Sequence, residues 1–181
     1  MRRVFGWLVV LLIVFVGVVL MLASRKPDSY RVERTTKIHA SADKINPLLQ
    51  DMHHFALWSP WQHLDPNMKE TFSGPPVGVG ATVAWVGNSK AGEGNMKVLT
   101  ATPYDTTLDL HFIKPFESDA KVEYQLTPQT DGTQVTWIMS GPLNFMSKVM
   151  CVFKNMDAMI GPDFERGLAQ MKRVAEDPQQ P

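Results

Sequence analysis

The sequence contains a single cysteine, Cys151, and no excess of charge of either sign. One cysteine cannot form an internal disulfide, and it also excludes a CxxC redox motif and a cysteine-based zinc ribbon. The 18 basic and 18 acidic side chains balance. Because Arg2 and Arg3 precede an apolar run, the rest of the chain is slightly acidic. Phosphate contacts need a basic excess, so we expect no nucleic-acid partner.

The chain is also too short for a multidomain enzyme, since its 181 residues leave roughly 150 after the apolar run, the size of one domain. We predict three parts: an N-terminal transmembrane anchor over residues 1–26, a single domain over 27–176 and a polar tail over 177–181. No internal repeat is evident.

The apolar run Val4–Ala23 is 20 residues long and carries no charge. As a helix it would span about 30 Å, the hydrocarbon thickness of a bilayer. A cleaved signal peptide is the alternative, but the run is longer than a usual h-region, and Met21-Leu22-Ala23 lacks a small residue at the −3 position. We therefore favour an uncleaved, single-pass membrane anchor.

The charges flanking this run give mixed information about orientation. Arg2 and Arg3 favour a cytoplasmic N-terminus, whereas Arg25 and Lys26 are followed by further basic residues on the other flank. Those further residues belong to a predicted strand, so they are not counted as flanking charges. A short basic N-terminal tail before a long apolar stretch resembles a signal anchor, and we therefore expect the soluble domain on the outer, periplasmic or extracytoplasmic side.

Beyond the anchor, hydrophobic periodicity predicts a strand, a short helix, about six strands and a long helix. Tyr30–Ala40 alternates as a half-buried strand, and a helix follows Ser41, in which Pro47 either bends the helix or marks its start. From residue 68 to 140, Gly, Pro, Asn and Asp clusters separate alternating strands with one dry face. A helical stripe runs from Phe145 to Val174, where Gly161 and Pro162 predict the end of one segment and the start of the next.

A sheet with one dry face must be covered, and the C-terminal helix is the only long element left to cover it. The predicted fold is therefore α+β, with a curved antiparallel sheet wrapped around a long C-terminal helix. The space between them is either a packed core or a ligand cavity. For a cavity, we predict an apolar lining with two tryptophans from the loop after the short helix as a lid, the set being Trp58, Trp61, Trp85, Phe112, Tyr124, Trp137, Met139, Met150, Met156 and Met159.

Four passages carry a resemblance to a known family: YRVERTTKIHASADKI, FALWSPWQHLDPNM, GPPVGVGATVAWVGN and MIGPDFERGLAQMK. They resemble the SRPBCC superfamily of START-like helix-grip domains, and most closely membrane-anchored members of its polyketide cyclase/dehydrase group. The resemblance implies an apolar ligand held between the sheet and the long helix. It supplies no catalytic motif that can be carried over to this sequence.

Two clusters of chemically active residues have plain structural explanations. His53, His54, His63 and Asp65 are metal-ligand types, but they show no HExxH or other metal spacing and sit in a loop that we expect to close the fold. Asp109 and His111 share the wet face of a strand, where a solvated pair is expected. The residues thus predict no catalytic group, no metal and no cofactor.

Three functions are compatible with the sequence. The favoured one is a membrane-anchored domain that binds or handles an apolar small molecule or lipid. A cyclase or dehydratase acting on a ketide-like substrate would need a desolvated acid or histidine in the cavity. A protein-interaction domain resembling Hsp90 activators would show a filled core and an exposed apolar patch. Whether the protein is an enzyme is left open, with the absence of a catalytic motif weighing against it.

Overall fold

The structure is a computed structural model and describes residues 2–178 of the chain. Residues 179–181 of the predicted polar tail lie outside the described residues. The helices are α1 (Arg2–Ser24), α2 (Ala42–Gln50), α3 (Phe145–Phe153) and α4 (Met156–Glu176), with a 3-10 turn at His54–Leu57. The strands are β1 (Ser29–Ile38), β2 (Lys69–Ser73), β3 (Thr82–Val86), β4 (Glu93–Ala101), β5 (Asp105–Lys114), β6 (Ser118–Gln129) and β7 (Gly132–Pro142).

The strands form one antiparallel sheet in the order β1-β7-β6-β5-β4-β3-β2. From β2 to β7 each strand pairs with the next along the chain, while β1 closes onto β7. The inward faces are those that the alternation predicts, and Val32, Leu108, Val122 and Trp137 are buried among them. Register shifts in β4 mark bulges, which bend a strand.

Helix α4 crosses the dry face and buries Phe164, Leu168 and Met171 against it. An ion-pair cluster fixes α4 to the edge strand β1. The Arg34 guanidinium is 2.7 Å from an Asp157 carboxylate oxygen and 2.8 Å from one of Glu165. The fold class expected from the sequence is confirmed.

The C-terminal helix breaks at a different place from the predicted one. The break falls at Lys154–Asn155, where the Asn155 side chain accepts a hydrogen bond of 2.7 Å from the Ala158 amide and caps α4. Gly161 and Pro162 lie inside α4. Pro162 is near the start of the helix, where its missing N–H removes a single bond, and a Cβ on Gly161 would lie 2.1 Å from the Arg34 guanidinium. Gly161 therefore packs against Arg34 of β1, and the pair does not mark a helix end. In α2, Pro47 lies within the helix and does not start it.

One end of the sheet gathers several features, and we name it the anchor end. β1 begins there after α1, opposite the end of β7, with Ser29 paired to Pro142. Residues 25–28 connect α1 to β1. The Asp28 carbonyl accepts a hydrogen bond of 2.7 Å from the Leu143 amide, and the Asp28 carboxylate is ion-paired with Lys148 of α3. The β3–β4 and β5–β6 turns lie at the same end, as the pairings of Lys121 with Ser140, Phe112 with Ser118 and Glu93 with Lys114 show.

Helix α1 contains a span, Gly6–Ser24, that is long and apolar enough to cross a membrane. Most of its side chains are exposed, as expected for a helix whose surroundings would be lipid. It packs against α3 at its C-terminal end, where Val19 and Ala23 are buried.

Candidate functional site

A cavity of about 310 Å³ lies between the inner face of the sheet and α4. Strands β3 to β7 supply one wall, and Met156, Ile160 and Phe164, spaced four residues apart on α4, supply the opposite wall. This spacing places all three side chains on the same face of the helix. The wall is mostly apolar, so the dry face of the sheet is only partly filled by the helix that covers it.

Seven of the ten predicted lining residues meet around this cavity: Trp61, Trp85, Phe112, Tyr124, Trp137, Met139 and Met156. That any of them binds a ligand stays a prediction. The other three lie elsewhere. Trp58 is fully buried behind the wall, where its indole N–H donates to the Leu48 carbonyl at 2.8 Å. Met159 is half-buried on α4 but outside the wall, and Met150 is exposed on α3.

The structure adds wall residues that sequence reasoning did not select. Met96 and Leu110 come from the centre of the sheet, Phe164 and Ile160 from α4, and Tyr30 from the start of β1. Alternation in β4 places Met96 beside the buried Val98, and this signal could have identified it. The helical stripe already contained Phe164 and Ile160, but it could not show which residues face a cavity.

Stacked aromatic rings form the end of the cavity nearest the middle of α4. The Trp137 indole lies parallel to the Phe164 ring with centroids 4.0 Å apart, and the Trp61 ring meets the edge of Trp137 at 5.6 Å. This packing depends on Gly167, because a Cβ there would lie 2.7 Å from the Trp137 ring. The large rings of the WSPW passage and of β7 are thereby held rigidly in place.

Two polar atoms in this apolar environment have no hydrogen-bond partner among the described residues. They are the Tyr124 hydroxyl and the Trp137 indole nitrogen, on side chains that are each 1% exposed. The two residues are directly paired across β6 and β7, with ring centroids 5.5 Å apart. Burial raises the pKa of Tyr124 well above its usual value, so its phenol stays protonated and able to donate. Burial likewise raises the pKa of Tyr30 to about 12.

The cavity opens at the anchor end of the sheet. The exposed members of its wall are Lys90 of the β3–β4 turn and Lys114, Pro115 and Ser118 around the β5–β6 turn. Gly92 lets these turns approach each other. Its φ is +70°, and a Cβ there would lie 2.4 Å from the Lys114 carbonyl oxygen.

A buried carboxylate holds the loop that flanks the cavity. Asp65 is 8% exposed and accepts hydrogen bonds from the amides of Asn67 at 2.9 Å and Asn88 at 2.7 Å. Asn88 belongs to the β3–β4 turn and donates in return to the Leu64 carbonyl at 3.2 Å. Asp65, one of the residues of metal-ligand type in the sequence, therefore joins the WSPW loop to the rim.

The other chemically active residues are on the surface. His53 stacks on Phe72 with ring centroids 4.0 Å apart. Within residues 2–178 no group of three or more His, Cys, Asp or Glu side chains is placed to hold a metal. His111 does lie on the wet face, but its partner is Asp119 at 2.6 Å and not Asp109. The hydrogen bond from His111 to Asp119 raises the pKa of this exposed histidine.

A curved antiparallel sheet gripping a long C-terminal helix over a cavity defines the helix-grip class of domains. Residues 29–176 match the family model described as polyketide cyclase / dehydrase and lipid transport. The chain belongs to this family, which is part of the SRPBCC superfamily. A comparison with curated protein sequences finds no match.

Solved structures share the fold at low sequence identity. The Aha1 dimer from Colwellia psychrerythraea is 18% identical, with a TM-score of 0.59 over 83% of this chain and 98% of that one. Major latex-like protein 151 from Panax ginseng is 12% identical, with a TM-score of 0.59 over 83% and 100% of the two chains. The di-domain ARO/CYC BexL from the BE-7585A biosynthetic pathway is 12% identical, with a TM-score of 0.60 over 87% of this chain and 53% of that one. At these identities the similarity shows the fold alone.

Proposed function

We propose that this protein is a membrane-anchored helix-grip domain that binds an apolar small molecule or lipid in the cavity between the sheet and α4. The observation that carries the proposal is the cavity itself. Its volume of about 310 Å³ falls at the lower end of the range of small-molecule sites, roughly 300–1,000 Å³. Protein interiors are close-packed and contain few voids larger than a water molecule, so a cavity of this volume is typical of a binding site.

The two unpartnered donors further restrict the ligand. Tyr124 and Trp137 supply one O–H and one N–H inside an apolar wall. A buried donor without a partner costs about 1–3 kcal/mol, and this cost is recovered when a ligand brings an acceptor within hydrogen-bond distance of it. We therefore expect a mainly apolar ligand with at least one hydrogen-bond acceptor, such as a carbonyl or carboxyl oxygen.

A cyclase or dehydratase is less well supported by the same wall. Among the described residues the wall includes no histidine, and its one fully buried titratable side chain is Tyr124. Because burial raises the pKa of that phenol, it donates a hydrogen bond more readily than it transfers a proton at neutral pH.

The proposed arrangement in the cell has three parts: residues 1–26 as the anchor, 27–176 as the binding domain and 177–181 as a polar tail. The length and exposure of α1 support a single-pass helix. The basic N-terminal tail, with Arg2 and Arg3, supports an outer location for the domain. Fusion of a reporter active only outside the cytoplasm after Pro181 should give activity, and activity of a cytoplasm-only reporter there would reverse the orientation.

A matched pair of substitutions tests the cavity. Met139 lines it, whereas Met171 is fully buried against the sheet outside its wall. Met139→Trp should fill the cavity and abolish ligand uptake with little change in melting temperature. Met171→Trp should overpack the core, at a cost of about 1–3 kcal/mol, and leave uptake intact in the folded fraction.

Binding is measured by native mass spectrometry of the detergent-extracted full-length chain, first for a retained small molecule and then after addition of oleic acid. Equal thermal destabilisation by the two substitutions, with no oleic acid bound by the parent protein, would mean that the dry face is only core.

A further inference from the structure

Helix α3 presents an apolar face that is not covered by protein among the described residues. Phe145, Met146, Met150 and Phe153 are each about half exposed or more, up to 68% for Phe153. At 100° per residue these four side chains fall within roughly 140° of arc. The buried Cys151 lies on the opposite side. An exposed apolar helix face of this kind is expected where a helix rests on a lipid interface.

The position of α3 fixes the depth at which this face would lie. Helix α1 packs against α3 through its last turns, where Val19 and Ala23 are buried. Both residues belong to the apolar run, and Ala23 is its final residue. With a rise of 1.5 Å per residue, the contact covers roughly the last 6 Å of the run. If α1 spans a bilayer, α3 lies where the hydrocarbon meets the headgroups.

The mouth of the cavity lies at the same end of the sheet. The β5–β6 turn carries Lys114, Pro115 and Ser118 of the mouth, and between them Phe116 is 65% exposed. This turn is at the anchor end of the sheet, which is also where α1 leaves and α3 begins. The topology thus places the anchor, the apolar face of α3 and the mouth at one end of the domain.

We propose that Phe116, Phe145, Met146, Met150 and Phe153 form a membrane-contact patch. The patch rests on the surface of the bilayer that holds α1, so that the cavity opens toward the lipid. The ligand is then a lipophilic molecule dissolved in that membrane, and it enters the cavity from the lipid phase. This inference rests on the proposed anchor and cavity. What it adds to them is the contact between the patch and the bilayer.

The experiment measures the surroundings of individual residues in the full-length chain reconstituted into phosphatidylcholine vesicles. In a Cys151→Ala background, single cysteines are introduced as Phe116→Cys, Met146→Cys and Phe153→Cys and labelled with a nitroxide. Ile13→Cys reports on the middle of α1. Thr130→Cys, in the β6–β7 turn at the opposite end of the sheet, is the matched exposed control. Because all five positions are exposed, labelling leaves the core intact, and thermal melting verifies this.

Power saturation compares collisions with oxygen, which concentrates in lipid, and with a water-soluble nickel chelate. We expect oxygen to dominate at positions 116, 146 and 153, as at position 13, and the nickel chelate to dominate at position 130. Nickel-dominated collisions at the three patch positions would overturn the inference. If position 13 still reports lipid, the anchor survives that result; if it also reports water, the anchor fails as well.

A second copy of the chain covering the patch would give a third pattern. Both collision rates would then be low at positions 116, 146 and 153, and spin-spin broadening would disappear on dilution with unlabelled protein. That pattern would also overturn the inference, because the patch would be a dimer interface.

Discussion

Replacement of Tyr124 by phenylalanine separates a packing role for this residue from a ligand-binding role. The Tyr124 hydroxyl is buried without a partner among the described residues, so the substitution removes an unsatisfied polar group and leaves the ring in place. An unsatisfied buried donor costs about 1–3 kcal/mol. For a domain of roughly 150 residues, each kcal/mol corresponds to about 2–4 °C in melting temperature. We therefore expect Tyr124→Phe to melt higher than the parent protein when no ligand is bound.

The same substitution should weaken the binding of a ligand that offers an acceptor. The free energy recovered by the hydroxyl on binding, about 1–3 kcal/mol, corresponds to roughly 5- to 150-fold in affinity. Two probes of similar shape isolate this contribution: 2-acetylnaphthalene, which has a carbonyl oxygen, and 2-ethylnaphthalene, which has none. Calorimetric titration of the full-length chain in nanodiscs, with empty nanodiscs as reference, should show a preference for the ketone that Tyr124→Phe reduces.

The control is Tyr104→Phe, because Tyr104 is 49% exposed and its hydroxyl is satisfied by water. We expect it to change neither the melting temperature nor the preference between the probes. The reasoning is refuted if Tyr124→Phe lowers the melting temperature and leaves the ketone preference unchanged. The hydroxyl would then have a structural partner.

Three further predictions concern the rim and the outer face. Asp65→Ala should lower the free energy of unfolding by about 2 kcal/mol or more, because it leaves the Asn88 amide without its carboxylate partner; an unchanged urea midpoint would contradict this. Gly92→Ala should cost about 1–3 kcal/mol through its positive φ and the close approach of the opposite turn, and a melting temperature equal to that of the parent would argue against it. Because its pKa is raised in the folded state, His111 contributes stability that is complete below its unfolded pKa, near 6.5, and is lost as pH rises through the folded value. Asp119→Asn should return the NMR titration of His111 toward its usual range, and an unchanged titration would show that Asp119 is not the cause.

The sheet could be predicted from the sequence because each strand has a clean period of two between Gly, Pro, Asn or Asp clusters. Five of the ten expected lining residues lie on these strands and consequently meet at the cavity. Met150 does not, because the helix breaks at Lys154–Asn155 and α3 turns away toward α1. Local sequence favoured Gly161-Pro162 as the break, and the close approach of the distant Arg34 guanidinium to Gly161 could not be read from it.

Other features depend on relations between distant residues that periodicity does not encode. The unpartnered state of Tyr124 and Trp137 is a property of everything that surrounds them. The position of the mouth follows from strand pairing, which brings residues 90 and 114 to the rim together. The role of Asp65 could not be predicted either, because a carboxylate that accepts two backbone amides cannot be distinguished in the sequence from any other loop carboxylate.

The brevity of the connection between α1 and β1 limits where this protein can act. Arg25–Asp28 is four residues long, a reach of at most about 14 Å when fully extended. The turn hydrogen bonds from Arg25 and Lys26 back to Leu22 and Ala23 shorten it further. If α1 spans a bilayer as proposed, a domain held this closely to it searches a thin layer next to that bilayer in two dimensions. Its encounters would depend on how many ligand molecules share each unit of membrane area, and hardly at all on their concentration in the surrounding solution.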